Sequence, residues 1–486
     1  MSAKPTPLSG FPELLPEQRF VEQQVIDTLR RTFELHGFAG IETRAVEPMD
    51  QLLRKGETSK EVYVLRRLQA DAEGADSGMG LHFDLTVPFA RYVLENAGKL
   101  EFPFRRYQIQ KAWRGERPQE GRYREFTQAD IDVVMKDELP FHFDVEVARV
   151  MAEALSGLPL PPLRLRVNNR KLIEGFYRGI GAADPQAVIT IIDKLDKLPA
   201  DQVAALLRSD AGLSGAQADQ CLQLATISTT DSGFVDKVRA LGVEHELLDT
   251  GLAELAAVID GCAAVRSDRF EVEASLSLAR GLDYYTGTVF EIYMVGFEFL
   301  KSVGGGGRYD ALASDGRSTY PGVGISFGIS RSLVPLMSRG LLSSDRRVPS
   351  VVLVALPDEE SRPASDAIAQ ALRANGVACE VAASAQKFGK QIRYAERRGI
   401  PYVWFTGRDG GHEVKDIRSG EQVAADPATW TPPEQDLRPR VVSTGSTTEP
   451  SAGNTEPHAG STEPSAGNNE PHAGNTEQTA SNEEKQ

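Results

Sequence analysis

The chain has 486 residues, 41% of them hydrophobic and 25% charged, and its formal net charge is −15. This length predicts several domains, and the ordinary composition excludes fibrous, collagenous and disulfide-stapled proteins. Three widely spaced cysteines without a CxxC pair, the lack of a signal-peptide pattern and the lack of an apolar run long enough to cross a bilayer lead us to expect a cytoplasmic protein that does not enter membranes.

The first third of the chain predicts alternating helices and strands. Apolar residues at helical spacing predict a helix over 17–36, and a strand is expected at 41–46. The pattern at 81–93 changes from that of a strand to that of a helix. Strand patterns at 104–112 and 125–134 then predict an antiparallel hairpin with a charged tip.

The middle of the chain predicts a helical insertion in a sheet domain. Helical text rich in Ala, Leu and Asp runs over about 183–265, and strand patterns return at 271–277 and 288–295. An insertion between two halves of one sheet explains this order. We therefore expect a first domain over 1–340 with a helical insertion at about 183–265.

A second, smaller domain is predicted at 347–430. Strand, helix, strand, helix and strand patterns follow one another there, beginning with VVLVAL and ending with YVWF. These spacings are typical of a small α/β domain with a mostly parallel or mixed sheet.

The C-terminal segment predicts a disordered tail, which we place at 436–486. From Thr448 a seven-residue repeat (TEPSAGN, TEPHAGS and variants) contains no large apolar residue. Packing therefore has nothing to offset the entropy cost of ordering this segment. From Ser443 onward there are seven Glu and one Lys, so −6 of the net charge belongs to the tail.

The densest chemical signal is the hairpin tip WRGERPQEGRYREF at 113–126. It holds Arg114, Arg117, Arg122 and Arg124 among three glutamates. Guanidinium groups grip phosphate through two parallel hydrogen bonds and stay charged, so this density favours a phosphate ligand. A solvated loop whose charges pair with each other is the alternative.

A second signal combines an arginine, two tyrosines and a run of glycines. LARGLDYYTGTVFE at 278–291 contains Arg280, Tyr284 and Tyr285, and SVGGGGRYDAL follows at 302–312. Glycines remove side chains where a strand must lie against a ligand, and tyrosines supply flat, hydrogen-bonding walls. The alternative is that Arg280 pairs with Asp283 and that the glycines form a turn.

These segments resemble the histidyl-tRNA synthetases, a class II aminoacyl-tRNA synthetase family. RGERPQEGRYREF is similar to motif 2 of that family, ARGLDYYTGTVFE and GGGGRYDAL to its two histidine-specific signatures, and PGVGISFGISRS to its motif 3. DLTVPFAR at 84–91 and KFGKQIRYAERRGIPYVWF match as well. The resemblance implies an α+β fold: a class II antiparallel sheet flanked by helices, with a helical insertion, then an α/β anticodon-binding domain and the tail.

The resemblance also implies an activity and its partners. Histidine and ATP would give histidyl-adenylate and pyrophosphate, and the terminal hydroxyl of histidine tRNA would then take the aminoacyl group. Mg²⁺ is expected with ATP, no metal site is expected from a direct side-chain cluster, and the family dimerises. By motif match, Arg114 and Arg280 would hold the α-phosphate from opposite sides, Glu116 would lie near the adenine-side loop, and Arg331 would bind the γ-phosphate.

The histidine pocket is implied in the same way. Free histidine offers an ammonium, a carboxylate and an imidazole, so acidic side chains should surround it. Alternation in QADIDVV puts Asp130 and Asp132 on one side of a strand. By resemblance, the residues that bind histidine are Asp84, Leu85, Thr86, Gln128, Asp132, Tyr284 and Tyr285.

Two regions are expected to contact tRNA. In QKFGKQIRYAERR, Lys387, Lys390, Arg393 and Arg397 recur at helical spacing and form one basic stripe. Such a stripe is usually a solvated face, but the family's anticodon-binding domain lies at this position. Gln119 matches the residue that reads the extra 5′ guanosine of histidine tRNA in bacterial relatives.

The motifs depart from the family pattern at two positions, and two other functions stay open. Ser330 stands before Arg331 where motif 3 has Glu, and Arg44 stands where motif 1 has Pro. One alternative is a catalytically silent paralogue, similar to the regulatory subunit of the first enzyme of histidine biosynthesis; such relatives lack the C-terminal domain and catalytic arginines. The other is a class II enzyme of different specificity, against which Asp132 and Arg280 argue.

Overall fold

The computed structural model describes residues 5–53, 61–67, 78–279, 285–314, 316–407 and 410–444. Arg280 and Tyr284 lie outside the described residues, as does the predicted tail from 445 onward. The helices are α1 Pro16–Leu35, α2 Met49–Leu52, α3 Thr86–Asn96, α4 His142–Ser156, α5 Arg170–Gly179, α6 Pro185–Ile192, α7 Ala200–Ser209, α8 Gly215–Ala225, α9 Phe234–Arg239, α10 Glu246–Gly261, α11 Ile329–Ser338, α12 Arg362–Ala374 and α13 Phe388–Arg398.

The N-terminal region is built on a mainly antiparallel sheet of nine strands within the described ranges. Its order is β1-β4-β5-β11-β10-β9-β6-β8-β7, with parallel pairing at β1–β4 and at β6–β8. The strands up to this point of the chain are β1 Ala39–Gly40, β2 Val46–Pro48, β3 Met79–Leu81, β4 Phe104–Trp113, β5 Glu125–Val134, β6 Leu163–Asn169, β7 Ser228–Thr229, β8 Phe270–Ser275, β9 Thr288–Met294, β10 Gly304–Tyr309 and β11 Gly322–Gly328.

The predicted hairpin is present as β4 and β5, which pair antiparallel over ten residues each. Buried apolar side chains of one sheet face join those of α1 and α4 in the largest core. In contrast, the strand expected at 41–46 is wrong. Of this stretch only Val46 belongs to a strand, as the first residue of β2, which pairs with β3, and Ile41 extends the pairing of β1 with β4 by one hydrogen bond to the Tyr107 carbonyl.

Helices α6 to α10 lie between β6 and β8, which pair parallel to each other in the sheet. The helix starts follow from local side-chain chemistry. The Asn169 side chain accepts hydrogen bonds from the first backbone N–H groups of α5, and Ser214 caps α8 in the same way. The helical text at 183–265 therefore folds as predicted, as a connection between neighbouring strands.

The C-terminal region contains the expected mixed α/β sheet. Its order is β14-β13-β15-β16-β17, parallel at β13–β14 and β13–β15 and antiparallel beyond. The remaining strands of the described chain are β12 Leu342–Ser344, β13 Val352–Val354, β14 Cys379–Val381, β15 Tyr402–Thr406, β16 His412–Asp416, β17 Gln422–Ala424 and β18 Val441–Ser443.

The predicted start of the disordered tail at 436 is wrong, because the ordered chain continues to 444. Asp436 is buried and accepts a hydrogen bond from the Tyr402 hydroxyl at 2.8 Å. Beyond it, β18 pairs antiparallel with β12, so the chain returns from the C-terminal sheet to the linker that precedes it. Unlike the repeat from Thr448, this stretch carries apolar residues and an acid that find partners.

Candidate active site

A cavity of about 310 Å³ opens beside strands β5, β10 and β11 and collects most of the residues predicted to bind histidine or ATP. It is lined by strands β5, β10 and β11, by the start of α3 and by the hairpin tip between β4 and β5. Seven predicted residues line it: Asp84, Thr86, Arg114, Glu116, Gln128, Tyr285 and Arg331.

Three other predicted residues lie elsewhere. Asp132 does not line the cavity but is buried in the strand that also carries Gln128. The Leu85 side chain is fully buried in the core, so Leu85 can offer a ligand only its backbone. Gln119 lies in the exposed turn of the hairpin tip, where its backbone pairs with that of Arg122.

The hairpin tip and the start of α11 give the cavity a basic rim. The Arg114 guanidinium donates through Nε to the Phe83 carbonyl at 3.0 Å and stacks over the Phe126 ring. Arg331 donates through Nη2 to the Leu300 carbonyl at 2.5 Å, which fixes its direction. The lining cations are Arg114, Arg122, Lys301 and Arg331, and the lining carboxylates are Asp84 and Glu116.

Arg331 is the most strongly perturbed cation of this rim. Burial, followed by the nearby Arg122 charge, lowers the pKa of Arg331 to about 10. Its Nε atom is buried and has no hydrogen-bond partner in the part of the chain that the structure describes. A buried, crowded guanidinium of this kind gains from an anionic ligand.

The Ser330 departure from motif 3 has a structural explanation. The backbone N–H of Thr127 donates to the Ser330 hydroxyl at 2.8 Å, which ties the first turn of α11 to β5. Arg331 is oriented instead by the Leu300 carbonyl. The position of this arginine therefore does not need the acid that the motif usually carries.

Arg44, the departure from motif 1, belongs to a different cluster. It lies 3.4 Å from Glu47 and 3.5 Å from Glu95. Glu47 is fully buried and accepts hydrogen bonds from Arg91, which is the last residue of DLTVPFAR. Arg44 thus adds a second cation to a buried acid at the start of the domain.

Below the cavity, neighbouring strands place polar side chains in register. Strand β4 presents Arg106, Gln108 and Gln110 opposite Asp132, Asp130 and Gln128 of β5. Because every second residue shares a face, these six side chains form one polar strip on the sheet. We call Arg106, Asp130 and Asp132 the acidic floor, because among the described residues Arg106 is the cation that lies within 4 Å of these two carboxylates.

Each carboxylate of the acidic floor has fixed contacts. Oδ2 of Asp132 lies 2.7 Å from Nη2 of Arg106 in an ion pair, and Oδ1 accepts a hydrogen bond from the Tyr309 hydroxyl at 2.8 Å. Gln128 donates through Nε2 to Oδ1 of Asp130 at 3.0 Å. The floor is therefore linked to the cavity through Gln128.

Burial without full neutralisation makes Asp130 a weaker acid than an exposed aspartate. Desolvation, only partly offset by Arg106, raises the pKa of Asp130 to about 7, and the neighbouring Asp132 adds to the shift. Desolvation and Asp132 also raise the pKa of Tyr285 well above its ordinary value. Tyr285 therefore remains a neutral phenol at physiological pH.

The glycines make room for the backbone of neighbouring strands and, at some positions, for side chains of the protein itself. An added Cβ at Gly324 would lie 2.1 Å from Oδ1 of Asp132, and one at Gly307 would lie 2.7 Å from the Tyr285 ring. Only a glycine strand lets these side chains lie flat on the sheet. The expectation that glycines face a ligand applies to Gly304 and Gly305, which line the cavity.

Sequence reasoning assigned no role to two buried members of this region, Arg106 and Tyr309. Tyr309 stands in the quoted segment GGGGRYDAL, and Arg106 stands opposite Asp132 once β4 and β5 are paired. Pairing the predicted hairpin residue by residue would have found Arg106. Lys301, by contrast, carried no signal, since its left-handed backbone (φ 56°) and its place on the rim depend on the fold.

The basic stripe lies on helix α13, as its spacing predicts. Lys387, Lys390, Arg393 and Arg397 are exposed, and within the described ranges none of them makes an ion pair with a carboxylate. Lys390, Arg393 and Arg397 also line a cavity of about 420 Å³ between α13 and the loop after β14. This surface is available to an anionic partner.

Two features are absent from the described residues. No helix there has the length and apolar character needed to cross a membrane. No group of three or more His, Cys, Asp or Glu side chains there is arranged to hold a metal ion.

Comparison with known proteins identifies the family. The model of the family "Histidyl-tRNA synthetase" matches residues 10–331, and that of the "Anticodon binding domain" matches residues 350–428. The chain belongs to the histidyl-tRNA synthetase family. The resemblance inferred from the motifs is therefore confirmed.

Individual members of the family agree in extent and fold. The histidine–tRNA ligase of Micrococcus luteus is 58% identical over 449 residues, which cover 89% of this chain and 98% of that protein. The crystal structure of histidyl-tRNA synthetase from Nostoc sp. PCC 7120 superposes with a TM-score of 0.77 at 32% identity, over 87% of this chain and 97% of that one. The predicted class II fold is thus confirmed.

A more distant neighbour shows the fold alone. It is a Bacillus halodurans structure described as an ATP phosphoribosyltransferase regulatory subunit/histidyl-tRNA synthetase. Its TM-score is 0.66 at 20% identity, over 81% of this chain and 96% of that one.

Proposed function

We propose that this protein is a histidine–tRNA ligase, which activates histidine with ATP and transfers it to the 3′ end of histidine tRNA. One observation carries the proposal: a single cavity has a basic rim and, below it, an acidic floor. A basic rim suits the phosphates of ATP, and an acidic floor suits an amino acid with an ammonium group and a ring N–H. Family membership supports the same reaction.

At the acidic end, the protein supplies acceptors. Asp84 and Thr86 line the cavity beside Gln128 and Tyr285, and this arrangement supports binding of the histidine ammonium by Asp84 and Thr86. Asp132, held by Arg106 and Tyr309, is proposed to accept the imidazole N–H. An analogue without that N–H would lose the hydrogen bond to this buried carboxylate, a penalty large enough for selection without editing.

At the basic end, the protein supplies cations for the transition state. Attack of the histidine carboxylate on the α-phosphorus gathers negative charge, which fixed guanidinium groups stabilise without reorganising. Arg114 and Arg280 are proposed to hold the α-phosphate, and Arg331 the γ-phosphate. Glu116, 3.4 Å from Arg122, is placed for the adenine-side loop by resemblance.

Mg²⁺ fits this site as a companion of ATP. Magnesium usually binds through one or two carboxylates together with substrate phosphates, and the cavity offers Asp84 and Glu116. Because Glu116 is proposed to lie near the adenine-side loop and Asp84 near the histidine ammonium, phosphate oxygens of ATP would supply most ligands of the ion. When bound, Mg²⁺ would supply charge neutralisation for the departing pyrophosphate.

Transfer to tRNA needs surfaces outside the cavity. The exposed stripe Lys387, Lys390, Arg393 and Arg397 is proposed to bind the phosphates of the anticodon arm, because exposed unpaired cations release counter-ions when they meet nucleic acid. Gln119, in the exposed tip of the hairpin, is proposed to meet the acceptor end.

Histidine-dependent exchange of labelled pyrophosphate into ATP tests the first step. Arg114→Ala and Arg280→Ala should each lower the exchange rate by about 100-fold or more, since each removes a cation from the developing charge. Arg178→Ala is the matched control, because Arg178 is exposed on α5 and pairs only with Glu174 among its described neighbours. Wild-type protein without exchange activity would refute the proposed function.

The alternatives are not favoured. A regulatory paralogue of histidine biosynthesis is expected to lack the C-terminal domain, which this chain has, and 58% identity to a histidine–tRNA ligase argues against it. Exchange supported by threonine, proline or glycine but not by histidine would instead indicate another class II specificity.

Three further proposals follow from family membership. We propose a homodimer, to be measured by light scattering, and a cytoplasmic location, to be measured by cell fractionation. We also propose the division into a catalytic domain over 1–340, with its insertion at about 183–265, and an anticodon-binding domain over 347–430. Limited proteolysis should cut between the two domains if this division is correct.

A further inference from the structure

We propose that Arg106 is a specificity-determining positioning residue, which acts on histidine through Asp132 without touching the substrate. The inference rests on the proposed function, because it concerns how the same pocket selects its amino acid. Arg106 is completely buried and does not line the cavity. Any effect that it has on a ligand must therefore pass through its neighbours.

The contacts of Arg106 are arranged to hold it still. Its guanidinium lies 4.2 Å from the centre of the Phe89 ring and donates through Nη1 to Gln108 at 3.3 Å. Nη2 is 2.7 Å from Asp132 and 3.9 Å from Asp130. A planar cation stacked on a ring between two acids has little room to turn.

Arg106 also decides the charge of the floor. Asp130 and Asp132 are both buried and adjacent on one face of β5, and Arg106 is the cation that faces them from β4. A buried carboxylate that loses its cation takes up a proton. A protonated Asp132 would be a poorer acceptor for the imidazole N–H, so histidine binding depends on Arg106.

This role differs from that of an ordinary buried ion pair. A purely structural pair would, when broken, weaken the whole domain and with it the binding of every ligand. A positioning role predicts a selective loss at the histidine end, because Arg114 and Arg331 on the phosphate rim make no contact with Arg106. The two roles can be separated by measuring both ligands.

Calorimetric binding of histidine and of ATP to the full-length protein, with pyrophosphate exchange in parallel, tests the inference. Arg106→Met should weaken histidine binding by about 10- to 100-fold, with ATP binding changed less than about threefold. Arg106→Lys keeps the charge and should lose less. Arg105→Met is the matched control: Arg105 lies on the same strand but pairs with Glu146 at 2.8 Å.

A double-mutant cycle shows whether the effect passes through Asp132. In an Asp132→Asn background, Arg106→Met should change histidine binding by less than about threefold, because its target is gone. Equal losses in both backgrounds, or equal losses for histidine and ATP, would overturn the inference. If Arg106→Met does not fold, Arg106→Lys decides by the same two criteria.

The outcome is distinguishable from failure of the proposed function. Wild-type protein that binds histidine without exchange activity would refute the ligase function and leave the Arg106 measurement valid. Exchange in the wild type together with unchanged histidine binding in both Arg106 variants would refute the inference alone. Wild-type protein that binds no histidine would refute both.

Discussion

In two different regions of the molecule one guanidinium lies between two carboxylates. In one region the pKa of a buried aspartate is raised, and in the other it is lowered. In the acidic floor, Arg106 faces its two aspartates with no exposure to solvent. In the C-terminal sheet, Arg418 lies 2.8 Å from Asp416 and 2.8 Å from Asp436, with 47% of its side chain exposed. The two clusters have the same charges but differ in contact with water and in distance, since Arg106 lies 3.9 Å from Asp130 whereas Arg418 lies 2.8 Å from Asp436.

The pKa values record this difference. Desolvation raises the pKa of Asp130, and Arg106 compensates only in part. Hydrogen bonds from Arg418 lower the pKa of Asp436, and they outweigh its desolvation. The half-exposed cluster around Arg418 thus stabilises the position of the returning C-terminal chain. The buried acidic floor instead holds carboxylates that are only partly compensated and can interact with a ligand.

The largest effect is expected from the acid that should meet the ligand. Asp132→Asn should lower kcat/KM for histidine in pyrophosphate exchange by about 100- to 1000-fold, because it removes the charged acceptor and the nearer of the two carboxylates that face Arg106. Asp137→Asn is the matched control, since Asp137 is exposed and its left-handed backbone (φ 68°) suits Asn. Equal effects of the two substitutions would remove the functional distinction between the clusters.

Gly324→Ala tests whether the floor must lie flat on the sheet. The new Cβ would lie 2.1 Å from Oδ1 of Asp132 and 2.6 Å from the Ile131 carbonyl, so the carboxylate must move. We expect KM for histidine to rise by about 10- to 100-fold, with a smaller change in KM for ATP. Gly98→Ala, at an exposed site with no atom near the new Cβ, should leave both constants unchanged.

A smaller and separable effect is expected in the C-terminal domain. Lys390→Ala on α13 should raise KM for histidine tRNA in aminoacylation by about 3- to 10-fold and weaken the salt dependence of binding. Pyrophosphate exchange should not change, because the helix is remote in sequence and contributes nothing to the catalytic cavity. Arg373→Ala on α12 is the control cation in the same domain. A loss of exchange would contradict the separation of the two regions.

Much of this architecture could be predicted because it depends on local patterns. The hairpin of β4 and β5, the helical insertion and the basic helix α13 each follow from periodicity and turn chemistry. Alternation in QADIDVV placed Asp130 and Asp132 on one face, and the structure has them there in register with β4. The motif resemblance then predicted that segments distant in sequence share one site, and residues from several of them line one cavity.

The remaining features depend on pairing between distant segments. The role of Arg106 depends on the pairing of β4 with β5, which puts it opposite Asp132. The role of Tyr309 depends on the position of β10, from which its hydroxyl donates to Asp132. The ordered segment beyond 436 was missed because its few apolar residues are stabilised by β12, about 100 positions earlier. Local sequence patterns do not predict such contacts between distant residues. Their formation carries the entropy cost of closing a long loop, and only the packing of the whole folded chain offsets this cost.

The sharpest test of the comparison uses pH, because the two buried aspartates should respond in opposite directions. A raised pKa means that folded Asp130 binds its proton more tightly than the unfolded chain does, so its contribution to stability falls as pH rises from about 4 to about 7. Asp436 has a lowered pKa, so its contribution to the stability of the fold is complete above its unfolded pKa. This contribution is lost as the pH falls through its folded pKa. Melting temperatures of wild type, Asp130→Asn and Asp436→Asn between about pH 2 and pH 8 measure both, because the Asp436 effect falls below about pH 4 and the Asp130 effect above it. As pH rises, the wild type should lose about 1 to 3 °C relative to Asp130→Asn and gain a similar amount relative to Asp436→Asn. Parallel curves for the two variants would mean that water does not distinguish the clusters.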